Sequence, residues 1–206
     1  MTYLSKSNDS FKSRLRIFLF EKVINGKTVN PSQLREFLRY DLLSRKDLIK
    51  KYTADFYHTE RLDKLPGTDL QIDAIYVAMK EAERKLKAEL PKWRKAYFND
   101  VFKGQFHQSK FNELLEAKQC HYCKITIDEI MELIENQKLF KKNERGWRME
   151  IDRKEPNQEY SDENCVPACY WCNNAKTDEF TAEEFKPIGM TIGEALLKRL
   201  KMKNKD

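Results

Sequence analysis

The sequence predicts an α+β protein: a mostly helical N-terminal half, followed by a small strand–strand–helix unit stapled by cysteines and closed by C-terminal helices. Three observations carry this. Apolar residues recur at helical spacing over most of the first half, the rhythm shortens to two residues around Trp147 to Ile151, and four of the five cysteines fall into two Cys-x2-Cys pairs on either side of that change. A chain of 206 residues with 40% hydrophobic content, 12 Phe, 9 Tyr and 3 Trp has enough apolar mass for a real core, which excludes wholesale disorder. No stretch approaches the roughly 20 apolar residues that cross a bilayer. The best run, Ile17 to Phe20, lies between Arg14, Arg16, Glu21 and Lys22. The first residues lack the basic-then-apolar order of a secretory signal and the Arg of a transit peptide, so a cytoplasmic protein with no membrane partner is expected.

In order along the chain, Ser10 is placed to cap a helix that ends at Asn25 before Gly26, with Phe11, Leu15, Phe18 and Leu19 on one side. Asn30-Pro31 opens a second helix carrying Leu34, Phe37, Leu38 and Leu42, because Asn caps and Pro is tolerated at the first helical position. Ser44 to Asp47 starts a third with Leu48, Ile49, Tyr52 and Phe56, and the second and third could form a helix-turn-helix. Leu65-Pro-Gly-Thr68 is a turn, and Thr68 is placed to cap the longest helical stretch, which runs with Leu70, Ile72, Ile75, Tyr76, Met79 and Ala82 to Pro91. Trp93, Tyr97, Phe98 and Phe102 mark a short helix beyond it. Lys103-Gly-Gln105 is the candidate boundary between domains 1–105 and 106–206. Thr126-Ile-Asp-Glu129 is a capping box that starts the next helix. Trp147, Met149 and Ile151 alternate with charged residues as in a half-buried strand, and residues 164 to 168 return after a polar loop. Thr181-Ala-Glu-Glu184 and Thr191-Ile-Gly-Glu194 read as two more capping boxes, with Leu196, Leu197 and Leu200 packing behind them.

The net charge is +6, and it is uneven. Residues 1–105 hold 22 Lys and Arg against 14 Asp and Glu, whereas residues 106–206 hold 17 against 19. The basic half suits a polyanionic partner, with Arg84-Lys-Leu-Lys87 and Lys92-Trp-Arg-Lys95 as phosphate-contacting patches or as solvated helix faces. Cytoplasmic cysteines stay reduced, so the pairs are not read as disulfides. Cys120-His-Tyr-Cys123 and Cys169-Tyr-Trp-Cys172 are separated by 45 residues, and two such knuckles complete a tetrahedral four-sulfur site for one structural Zn²⁺. A redox role would want a strand-to-helix thioredoxin-like context that is missing here. Cys165, in the run Cys165-Val-Pro-Ala168, reads as a small buried hydrophobe.

The order strand, loop, strand, helix is filled by Met149-Glu-Ile-Asp-Arg-Lys-Glu-Pro156, Tyr160-Ser-Asp-Glu-Asn164 and Cys169-Tyr-Trp-Cys-Asn-Asn-Ala-Lys176. On these residues the stretch from Cys120 to about Asp178 resembles the HNH endonucleases, the ββα-metal or His-Me finger superfamily, in their four-cysteine zinc-bound form. The resemblance implies a metal-dependent endonuclease that hydrolyses phosphodiesters, DNA first. It assigns one catalytic Mg²⁺ or Mn²⁺ to Asp152 and Asn173, and to Asn164 the role of pinning the loop. Carboxylate and amide oxygens suit such a hard cation. The family's histidine is replaced by Arg153, which stays protonated and cannot take a proton from water. Arg153 is then expected to hold the scissile phosphate, with Tyr160, Glu155 or His121 as the base. A phenol beside a divalent ion loses its proton below its ordinary value of about 10. Two other functions are compatible with the same residues: a zinc-stapled nucleic-acid-binding protein that has lost catalysis, and an RNA-cleaving effector. A homodimer or a protein partner is a further expectation, and the helical half would help to bind substrate or partner.

Overall fold

The computed structural model describes residues 2–52, 63–140 and 145–202. The chain folds as two compact units, 1–105 and 106–206. No helix among the described residues is long and apolar enough to cross a membrane.

The first unit is built around α1 (Tyr3–Ile24). Its cap is Thr2, not Ser10: Thr2 and Ser5 satisfy each other's backbone N–H groups in a capping box, and Ser10 is buried in the middle of the helix. The end follows the expected stop. Gly26 takes φ +64°, and the N–H groups of Gly26 and Lys27 donate to Val23 and Lys22 carbonyls, which closes the last turn. Four consecutive residues, Ile17 to Phe20, are buried, so α1 is covered on more than the one side expected for it. An aromatic cluster of Phe11, Phe18, Phe37, Trp93 and Tyr97 packs against it, mostly edge to face. Arg14 is buried in this cluster, and its Nη1 donates to the carbonyls of Phe37 and Leu38 at 3.2 Å each. It thereby caps the C-terminal end of α2 (Leu34–Leu38) with a positive charge where the helix dipole favours one.

Asn30 opens this second helical segment as a box with Gln33, through a 3-10 turn at Pro31–Gln33. The joint of the helix-turn-helix reading, at Leu43-Ser44, is a 3-10 turn at Leu43–Arg45 between α2 and α3 (Lys46–Lys50); α3 runs toward residues outside those described, and Phe56 lies among them. The turn at Leu65–Thr68 forms, with Gly67 at φ +72° and Thr68 donating to the Leu65 carbonyl from both N and Oγ1. Thr68 therefore closes the turn and does not cap the helix. Lys64 and Gln71 pair as a bridge, so α4 (Ile72–Leu86) begins only after Gln71. At 15 residues it is shorter than α1, which has 22. Pro91 sits in the first turn of α5 (Leu90–Tyr97), where its missing N–H costs nothing, and a π turn at Phe98–Phe102 leads into α6 (Lys103–Gln105). The basic patch at residues 84–87 is divided: Arg84 and Lys85 pair with Glu81, and Leu86 is buried.

The second unit begins with α7 (Gln108–Glu116), then the first cysteine knuckle, then α8 (Ile127–Glu135), whose Thr126–Glu129 box is complete. Strands β1 (Glu150–Arg153) and β2 (Cys165–Ala168) form an antiparallel pair with Asp152 opposite Val166 and Arg153 opposite Cys165. Cys169 caps α9 (Tyr170–Lys176), and α10 (Ala182–Lys201) follows. The box at Thr181 forms. The one at Thr191 does not, because α10 is a single helix and the Thr191 hydroxyl donates to the Pro187 carbonyl within it. The core gathers the four paired cysteines with Tyr122, Ile125, Ile130, Leu133, Met149, Val166 and Phe185. Gly189 and Gly193 let α10 lie directly on the first knuckle: a Cβ at Gly193 would stand 2.3 Å from the Cys123 carbonyl oxygen.

Candidate functional site

The first knuckle is shaped by backbone bonds. Cys120 N donates to Ile125 O, Lys124 N returns to Cys120 O, and Lys124 accepts a left-handed φ of +62° to make the turn. His121 N donates to Pro167 O at 2.8 Å, which fastens the knuckle to β2 just before the second pair. The result brings Cys120, Cys123, Cys169 and Cys172 together, all buried, with their sulfurs within 4.8 Å of one another. A zinc–sulfur bond of about 2.3 Å in a tetrahedron puts the sulfurs about 3.8 Å apart. The Cys123 and Cys169 sulfurs are 3.6 Å apart. The charge argument agrees with the distances. Hydrogen bonds from neighbouring sulfurs favour a thiolate at Cys120, and that same bonding pushes the Cys169 and Cys172 thiols up. Four thiolates in one buried cluster need a cation to coexist, so this group can hold one zinc ion.

Beside it lies an acidic face. Glu150 and Asp152 alternate with Met149 and Ile151 and so point to the same side of β1, toward α9. Both are buried, which the reading of a half-buried strand misses, because each acidic side chain has its own set of partners. Glu150 accepts two bonds from the Arg145 guanidinium and one from Asn173 Nδ2 at 2.6 Å. Asp152 Oδ2 accepts the Tyr122 hydroxyl at 2.6 Å and lies 3.2 Å from Lys176 Nζ. Lys176 has no solvent exposure at all, and its ammonium also donates to the Arg153 carbonyl at 2.8 Å. Thus Asp152 and Asn173, the two expected ion ligands, face the same side but bond to different groups. The amide nitrogen of Asn173 is spent on Glu150, which leaves its carbonyl oxygen as the donor for a cation. Two carboxylates and an amide carbonyl are the donor types a hard divalent ion takes.

The other expected residues line the hairpin loop. Asn164 Oδ1 accepts Glu155 N at 2.8 Å, while its Nδ2 donates to Glu155 O and Glu159 O. One buried side chain thus ties both ends of the loop. Arg153 points away from Asp152: its guanidinium donates to Gln158 O and to Asp178 Oδ1 and lies 5.0 Å over the Tyr160 ring. Tyr160 is buried and stacks on Phe106. Glu155 is exposed, and so is His121, whose imidazole is held below its ordinary value by burial of part of the ring and by Lys124. Asp162, not singled out from sequence, fixes the loop to the start of α7 through His107 N and Nδ1 at 2.8 and 2.6 Å. Tyr122, Glu150, Arg145 and Lys176 were also missed as site residues, although Lys176 stands in the quoted motif and Tyr122 between two cysteines.

No family model matches the chain, and no curated protein matches it. Among solved structures it is similar to the rare-cutting HNH restriction endonuclease PacI, studied for its mechanism of DNA perturbation. The two are 26% identical over 52% of this chain and 78% of that one, with a TM-score of 0.38.

Proposed function

We propose that the second unit is a metal-dependent nuclease, acting on DNA in the cytoplasm, and that the basic first unit helps to hold the substrate. The observation that carries this is the acidic face of β1 opposite Asn173 on α9, braced by a buried four-cysteine cluster. Asp152 and Asn173 would hold one Mg²⁺ or Mn²⁺, with Glu150 beside them. When bound, the ion supplies the positive charge that stabilises the phosphate and the leaving oxygen, so no protein nucleophile is needed. The protein's part is then to orient. Asn164 fixes the loop that carries Glu155 and Tyr160, and Arg153 fixes the same loop through Gln158. Water activation falls to Glu155 or Tyr160 on the hairpin loop, and Glu155→Gln and Tyr160→Phe distinguish them.

A second reading, a zinc-stapled nucleic-acid-binding unit without catalysis, is favoured by one observation: Lys176 already neutralises Asp152, and Arg153 in the histidine's place is committed to Gln158 and Asp178. Cleavage of supercoiled plasmid, linear DNA and single-stranded RNA in Mg²⁺, Mn²⁺ or EDTA tests both readings, with wild type beside Asp152→Asn. The asparagine variant is chosen because it keeps an acceptor oxygen for Tyr122 and Lys176, whereas Asp152→Ala would leave the buried ammonium with neither counter-charge nor that hydrogen bond, at a cost of about 3–5 kcal/mol. Metal-dependent cleavage that falls about a hundredfold or more in the variant supports the nuclease. DNA binding without cleavage of any substrate supports the second reading, and cleavage of RNA alone would change the substrate.

A further inference from the structure

Tyr122 and Lys176 reach the same oxygen of Asp152 from different parts of the chain. Tyr122 lies between Cys120 and Cys123, and Lys176 lies one helical turn beyond Cys172. Each half of the cysteine cluster therefore lends one side chain to the carboxylate on β1. Tyr122 has little freedom to do otherwise. Its ring meets Phe185 edge-on at 5.1 Å, its Cβ lies where a Cβ on Gly189 would come within 2.7 Å, and its residue is buried. A carboxylate on a short strand can rotate about its own side-chain bonds, and a phenol fixed by the cluster and by α10 stops that rotation. With Oδ2 held by two donors, Oδ1 is the oxygen left to an ion.

We propose that Tyr122 is a positioning residue for Asp152, through which the cysteine cluster sets the orientation of the carboxylate that would bind the divalent ion. The proposal rests on the nuclease reading above. It extends the role of the first knuckle from bracing the fold to aligning the acidic site, and it assigns the work to the phenol and not to His121 beside it. Tyr122→Phe is the direct test, because it keeps the ring and its packing and deletes only the oxygen. Zinc content is measured with thermal melting, and Mn²⁺ affinity is measured by electron paramagnetic resonance on the full chain, with Asp152→Asn defining the Asp152-dependent site. Steady-state cleavage of DNA separates kcat from KM.

The expected result is unchanged zinc content and melting, Mn²⁺ affinity weakened about tenfold, and kcat lowered about tenfold with KM for DNA unchanged, the scale of one short charge-assisted hydrogen bond. In the Asp152→Asn background the second substitution should leave Mn²⁺ affinity where it was. Unchanged affinity and kcat in Tyr122→Phe, while cleavage still requires Asp152, would overturn the positioning role and leave the nuclease reading intact. Loss of zinc together with the fold would overturn it as well, by making the phenol structural. Wild-type protein that neither binds Mn²⁺ through Asp152 nor cleaves would refute both.

Discussion

Gly193→Ala sets a local preference against a tertiary contact, and the outcome can be worked out beforehand. Inside a helix the substitution gains about 1 kcal/mol, since alanine loses less backbone freedom than glycine on folding. In α10, however, the new Cβ would stand 2.3 Å from the Cys123 carbonyl oxygen and 3.1 Å from its carbon. Ordinary contact begins at 3.4 Å, so the helix or the knuckle must move by about an ångström. The obstructing atoms belong to the backbone of a cysteine whose sulfur sits in the four-cysteine cluster, and no rotamer change relieves the clash. Overpacking of this kind costs about 1–3 kcal/mol and more when the backbone is held. We expect a net loss of about 2 kcal/mol, together with weaker zinc retention when the metal is drawn off by a chromogenic chelator. Gly104→Ala in α6 is the control, because nothing lies within 4 Å of its Cβ position. It should be neutral or slightly stabilising. Chemical denaturation of the two variants gives the comparison, and a Gly193→Ala protein at least as stable as wild type would refute the packing of α10 on the first knuckle.

Two other predictions concern metal and pH. Cys172→Ser should release zinc and unfold the second unit, since metal binding and folding are coupled in a unit whose sheet, among the described residues, is a two-stranded hairpin; metal analysis and circular dichroism check this, and zinc retained at the wild-type ratio would contradict it. In the first unit, burial and then the Glu21 carboxylate push the Tyr40 phenol well above its ordinary value. Below about pH 10 folded and unfolded chains both keep that proton, but above it only the unfolded chain releases it, so stability falls as pH rises, by up to about 1.4 kcal/mol per pH unit. Tyr40→Phe should remove this component of the alkaline loss in denaturation curves on either side of that pH, and an unchanged slope would show that the phenol ionises in the folded protein.

What the sequence discloses of this molecule follows the distance over which each feature is decided. The knuckles are legible because two residues of spacing fix the reach of a pair of thiolates. The capping boxes at Thr126 and Thr181 are legible for the same local reason, yet Thr191-Ile-Gly-Glu194 has the same letters and is plain helix. There the deciding contact is remote: Gly193, at the third position of that motif, is needed against Cys123, and only an uninterrupted α10 delivers it. Ser10 fails as a cap because its hydroxyl belongs to a buried helix interior, and α7 offers little beyond Phe111 and Leu114 at helical spacing to announce it.

The acidic site divides along the same line. Its donors stand in the motif, but what holds them does not. Tyr122 is 30 residues from the carboxylate it binds, and Asn173 is 23 from the Glu150 that takes its amide. Burying Asp152 and Lys176 together is costly unless each is fully partnered, and an apolar pair of the same size would serve stability as well or better. A fold that keeps an ammonium without solvent exposure against a carboxylate, and sets on that same oxygen a phenol from between two clustered cysteines, holds a charge in a fixed orientation and does not build a stronger core.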